Sequence, residues 1–201
     1  MPRPRVHDLQ ELLDAAERLA ADVGARGLTV RAVAAAAGVS NGSIYHAFGS
    51  LATLLGQVWL RAATSFLDLQ SRLVDQATNP VSAVVAAADA PAVFAGQRPA
   101  AARMLLTVKR EHLLGPELPT ELADALLALD KRLVSLLVRL AHLVWNRRDA
   151  AAVAVVTTCV VDLPTALFRR PLTAAEPIDQ PTRDRLAAAV RAVLDVPPRK
   201  E

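Results

Sequence analysis

Between Ser40 and Ser50 the chain sets small and polar residues where a helix could meet a polyanion: Asn41, Gly42, Ser43, Tyr45 and His46. At about 100° per residue, Ile44, Ala47 and Phe48 gather on one side of this stretch, and Gly42 with His46 on the other, flanked by Ser43 and Tyr45. One side can pack. The other begins at a glycine, which lets backbone approach a surface closely, and free amides at a helix N-terminus suit phosphate oxygens. A helix entering the major groove of DNA needs that combination. Net charge is only +3, so position matters more than the sum. From residue 23 to residue 67 there is no Asp or Glu, while Arg26, Arg31 and Arg61 fall inside that window.

Other reactive side chains point to less. Glu111, His112 and His142 fall on different expected helices without metal-ligand spacing, so they are read as structural or pocket residues, and no metal or cofactor is expected. Cys159 sits in an apolar stretch with no basic neighbour and reads as an inert core thiol. Asp162, in the same stretch, is expected to need a partner, such as an arginine, the turn at Pro164 or a ligand cation. Trp59, Phe66, Met104, Trp145 and Phe168 could pack a core or line a pocket; Phe66, Met104, His112, Trp145 and Asp162 are the candidates for ligand contact. No nucleophile and base pair, metal set or phosphate loop is visible, so an enzyme is not expected.

The elements that must position these residues read as all-α, because helical periodicity runs throughout and strand signals are poor. Leu9, Leu12, Leu13, Ala16, Ala20 and Val23 form one apolar stripe, which predicts a helix over 8–23 ended by Gly24. Thr29 is an N-cap for a helix over 30–37 stopped by Gly38, and Ser40 is an N-cap for 41–48 before Gly49. Two short helices thus flank a turn of the length that a helix-turn-helix uses. Ser50 opens a long helix to about Asp75, and Asn79 with Pro80 opens the next. Pro91 and Pro99 are expected to break residues 80–114 into pieces, and 115–119 is a loop. Thr120 caps a further helix; 149–168 is apolar almost all round, as a helix buried on every side would be; and 182–196 closes the chain.

The run from Gly27 to Ser50, with its turn glycine, the aromatic inside the third helix and four helix lengths in agreement, resembles the DNA-binding domain of the TetR family of transcriptional regulators over about residues 8–60. The resemblance implies that the third helix is the recognition helix and that Thr29, Arg31, Ser40, Asn41, Gly42, Ser43, Tyr45 and His46 meet DNA. It implies an N-terminal three-helix helix-turn-helix domain at 1–50, with the helix from about 51 as connector, and a larger helical ligand-binding and dimerisation domain at 51–201. The implied partners are double-stranded DNA with a palindromic operator, a second copy of the chain, and an unidentified, apolar small molecule that releases a repressor; activation instead of repression stays open. Where the family carries a histidine before the closing aromatic and a lysine after Gly-Ser, this chain has Ala47 and Leu51. Each lost phosphate contact lowers the salt slope by about 0.9, which Arg3, Arg5 or His46 could offset. A second reading follows from the same departures: a helical ligand-binding dimer whose DNA binding is weakened or lost.

Composition sets the outer bounds. At 201 residues, 53% hydrophobic and 21% charged, the chain can bury a core and is not disordered over most of its length. One cysteine allows no internal disulfide, and the opening residues have no apolar signal core, so a reducing cytoplasm is the expected location. The longest apolar run, 150–161, is 12 residues, too short for a bilayer span.

Overall fold

The computed structural model describes residues 6–108, 113 and 118–199. These are helical with no strand among the described residues. In order come α1 (Val6–Gly27), α2 (Val30–Ala37), α3 (Asn41–Phe48), α4 (Leu51–Asp75), α5 (Pro80–Gln97), α6 (Pro99–Thr107), α7 (Thr120–Trp145), α8 (Ala150–Thr157), a π turn (Thr158–Asp162), α9 (Leu163–Thr173) and α10 (Gln180–Leu194). The chain divides into two compact units, Met1–Ala63 with Ala100–Ala128, and Thr64–Pro99 with Leu129–Glu201.

In the first unit α1 packs on α2 and α2 on α3. Leu12, Ala16, Ala20, Leu28, Val33, Ile44 and Phe48 are buried, as the apolar stripes dictate. Gly24 does not end α1: its φ of 70° makes a kink, and helix resumes to Gly27. Arg61 of α4 reaches back to α1, 2.8 Å from Asp14, 3.0 Å from Glu17 and 3.2 Å from the side-chain oxygen Oε1 of Gln10. Trp59 Nε1 donates to the Val108 carbonyl at 2.9 Å, tying α4 to the end of α6. Gly56 permits the first turn of α7 to approach, since a Cβ there would stand 3.0 Å from Leu122 and 3.1 Å from Leu118. Met104, which belongs to this unit, is fully buried.

In the second unit α5 packs against α10, the π turn and α9, around Val84, Ala87, Ala88, Leu140, Val156, Cys159, Phe168, Leu186 and Val190. Pro91 does not break α5, contrary to expectation. The proline leaves the Ala87 carbonyl, four residues back, without an amide donor, and Gln70 Nε2 of α4 supplies one at 2.9 Å. Asn79 closes a capping box with Ser82 at the start of α5. Asp149 caps α8 through Ala152 N at 3.1 Å and accepts two bonds from Arg147, which also donates to the Pro198 and Arg199 carbonyls.

The stretch 150–168 is not buried on every side in a single chain. Val156, Cys159, Pro164 and Phe168 face the core, but Ala154, Asp162, Thr165 and Ala166 are exposed. Asp162 is therefore solvated and needs no buried partner, because the helix is two-sided rather than enclosed. With the π turn carrying helix on past Asp162 and Pro164, Ala150–Thr173 becomes long and apolar enough to cross a membrane by length and composition, with 33% of its apolar window buried. Burial lifts the Cys159 thiol to about 11, which keeps it protonated and unreactive.

Candidate nucleic-acid interface

Local capping builds the α2–α3 pair. Thr29 Oγ1 accepts from Ala32 N at 3.1 Å and starts α2. Gly38 ends it in the left-handed region at φ 67°, giving its N–H to the Ala34 and Ala35 carbonyls, while Val39 N reaches Ala34 O at 2.9 Å. Ser40 Oγ then accepts from Ser43 N at 3.1 Å and starts α3, and the two serine hydroxyls meet at 2.9 Å. These caps set the angle between the helices, and Ile44, with no exposed surface, and Phe48 pin α3 from beneath.

The eight residues singled out in the sequence, Thr29, Arg31, Ser40, Asn41, Gly42, Ser43, Tyr45 and His46, are all exposed. Their duties differ. The Thr29 and Ser40 hydroxyls are engaged as caps and that of Ser43 with Ser40, whereas Arg31, Asn41, Tyr45 and His46 make no hydrogen bond or ion pair among the described residues. Tyr45, 55% exposed, is the large aromatic of this surface. Among the described residues a Cβ on Gly42 would meet only Ser40 Oγ at 3.6 Å, so no described neighbour requires glycine there. The small residue leaves backbone bare toward whatever lies outside. Ala35 and Ala36 of α2 are also exposed, two positions that the sequence pattern did not single out. At the start of α4, Ser50 accepts from Thr53 N at 3.0 Å, and Leu51 is half-buried, so its apolar side chain serves packing.

Phe66 is half-buried in the second unit, edge to face with Phe94 at 5.5 Å and 71°. Trp145 is half-buried against the core of that unit, Asp162 lies on its surface, and Met104 is inside the first unit. His112, like Glu111, Arg3 and Arg5, lies outside the described residues. Sequence reasoning missed a groove of about 200 Å³ between α5 and α10, where Arg183 holds Asp89 by a two-pronged ion pair (Nε to Oδ1, 2.9 Å) beside Ser82 and Gln180. Two side-chain atoms of the second unit, Gln70 Oε1 and His142 Nδ1, are buried without a hydrogen-bond partner.

Residues 12–58 match the family described as bacterial regulatory proteins, tetR family. No curated protein matches the chain by sequence. Among solved structures, the chain is similar to a TetR-like transcriptional regulator from Rhodococcus sp. RHA1, with a TM-score of 0.70 and 20% identity over 96% of both chains. It is also similar to the TetR family transcriptional regulator PfmR from Thermus thermophilus, with a TM-score of 0.68 and 17% identity over 94% of this chain and 99% of that one. A third is the transcriptional regulator FadR from Bacillus subtilis in complex with stearoyl-CoA, with a TM-score of 0.64 and 15% identity over 92% and 95%. At these identities the likeness is one of fold.

Proposed function

We propose, from the match of residues 12–58 to the family described as bacterial regulatory proteins, tetR family, that this chain is a DNA-binding transcriptional regulator of that family, acting as a cytoplasmic homodimeric repressor. Residues 1–50 form the DNA-binding domain, with the helix from 51 as connector, and 51–201 bind a small, apolar ligand and the second copy. Thr29, Arg31, Ser40, Asn41, Gly42, Ser43, Tyr45 and His46 face the DNA, with α3 in the major groove. The observation that carries this reading is the division of α3: Ile44 and Phe48 buried beneath it, and every polar candidate exposed above.

A palindromic operator calls for two-fold symmetry, and the exposed sides of α8–α9 and α10 are suited to a four-helix bundle with the partner. Asp162, exposed at mid-length of the apolar helix, favours this over a lipid setting, where a carboxylate is costly. A neighbour that holds stearoyl-CoA supports an apolar ligand. Ligand and DNA then exclude each other by linkage: the ligand prefers a dimer in which the recognition helices no longer match successive major grooves about 34 Å apart. No catalytic step belongs to this reading.

The test is fluorescence anisotropy against the DNA flanking the protein's own gene and a scrambled fragment, at two salt concentrations. Tight binding to one fragment, saturating at two protomers per site, is expected. Equal, weak and steeply salt-dependent binding to both would favour the second reading, a ligand-binding dimer that has lost specificity through Ala47 and Leu51.

A further inference from the structure

The groove between α5 and α10 lies within one compact unit and holds about 200 Å³. That is less than the about 300–1,000 Å³ of a drug-sized ligand site, and it suits a molecule of a few heavy atoms. Val85 and Ala86 of α5 and Ala187 of α10 line it and are only half-buried, so their carbon surface stays open to an occupant. The polar part of the lining is Ser82, Asp89, Gln180 and Arg183.

Two of these four have hydrogen-bonding capacity to spare. Asp89 takes the Nε and Nη2 side of the Arg183 guanidinium and fixes its plane, while Nη1 makes no hydrogen bond among the described residues and the side chain keeps 33% of its surface. Gln180 gives Nε2 to Asp184 at 2.8 Å. A carboxylate only accepts, so the amide is turned with Oε1 free, and that oxygen has no hydrogen-bond donor among the described residues. Ser82 is spent on the capping box with Asn79. Charge then selects among occupants. Asp89 and Asp184 outnumber the one guanidinium, which disfavours a further carboxylate, and an ammonium would meet Arg183 with Asp89 already engaged. A fixed donor and a free acceptor on one small groove call for a neutral group that carries both a carbonyl and an N–H.

We propose that the α5–α10 groove binds a small aliphatic carboxamide. Its carbonyl accepts from Arg183 Nη1, its N–H donates to Gln180 Oε1, and its alkyl carbons lie against Val85, Ala86 and Ala187. The site belongs to the second unit and stands whether or not the chain binds DNA.

The test titrates the ¹⁵N-labelled full chain with pentanamide, with 2-hexanone, which has the same shape and carbonyl but no N–H, and with pentanoate, which is charged. Pentanamide is expected to shift the amide resonances of Ala86 and Ala187 and the side-chain amide of Gln180, with a Kd on the order of 1 mM. The ketone and the carboxylate bind about three- to tenfold more weakly, the ratio for one hydrogen bond lost or for a charge set among acids. Gln180→Leu, at an exposed position where the fold is not at stake, brings pentanamide and 2-hexanone within about twofold. Ala187→Leu fills the groove and abolishes binding of all three. No shift at α5 and α10 in the native protein, pentanoate or 2-hexanone binding as tightly as pentanamide, a preference that survives Gln180→Leu, or binding that survives Ala187→Leu overturns the proposal.

Discussion

Replacing two adjacent residues of α3, Ile44 and Tyr45, separates its buried side from its exposed side, the proposed contact surface. Ile44 has no exposed surface, so Ile44→Ala removes three buried carbons at about 0.8 kcal/mol each, and the cavity left beneath α3 adds to that, for a loss of about 2–5 kcal/mol. Tyr45 is 55% exposed and makes no hydrogen bond among the described residues, so Tyr45→Ala changes stability by only about 0.5 kcal/mol or less. DNA binding responds differently. If the Tyr45 hydroxyl meets a phosphate, as the proposed interface has it, its loss removes a hydrogen bond to a charged group, about 1.5–3 kcal/mol or about 10- to 100-fold in affinity. Urea denaturation followed by circular dichroism reads the first effect and anisotropy on the flanking DNA the second. A Tyr45→Ala protein that unfolds as easily as Ile44→Ala refutes the assignment of faces. One that stays folded and binds DNA as tightly as the native chain refutes Tyr45 as a contact.

Two further outcomes follow from the ionic contacts. Arg61→Met takes the guanidinium from Glu17, whose side chain is 9% exposed, and is expected to cost about 3 kcal/mol, whereas Asp14→Asn, at a side chain 52% exposed, costs about 0.5 kcal/mol or less; equal shifts in urea midpoint would show that the cluster is not buried in solution. The Arg147 hydrogen bonds, and then the Ala152 amide, hold Asp149 down to about 2, against an ordinary 3.8. A depressed carboxylate stabilises the fold fully above its unfolded pKa and loses that contribution as pH falls toward the folded value. Asp149→Asn keeps a capping side chain but not the charge, so its melting temperature lies below that of the native protein at pH 5 and converges with it near pH 2; a gap that does not narrow would deny the charged pairing.

Much of the α2–α3 pair was legible because its signals are local. Thr29, Gly38 and Ser40 act on amides and carbonyls within four residues of themselves, so their types and spacing alone determine where α2 ends and α3 begins. The periodicity of Ile44, Ala47 and Phe48 likewise determined which side of α3 turns inward. The breaks expected at Gly24 and Pro91 were read by the same local rule, and there it failed. At Pro91 the missing amide is replaced by a side chain 17 residues before the orphaned Ala87 carbonyl, and at Gly24 the helix kinks and resumes.

What only the tertiary structure decided concerns contacts between distant segments. Helical periodicity identified an apolar helix at 150–168 but not whether all its sides were covered; packing against α5 and α10 covers one side and leaves Asp162 in water. Nor does periodicity show that Ala100–Ala128 joins the N-terminal unit, that Trp59 finds the Val108 carbonyl, or that Gln70 serves Ala87 with one amide atom and strands the other. Caps and amphipathic stripes satisfy groups a few residues apart and are written in the order of the chain. The donor that reaches an orphaned carbonyl, and the acceptor left over afterwards, depend on which helices lie side by side, and that is determined by the summed packing of the whole chain.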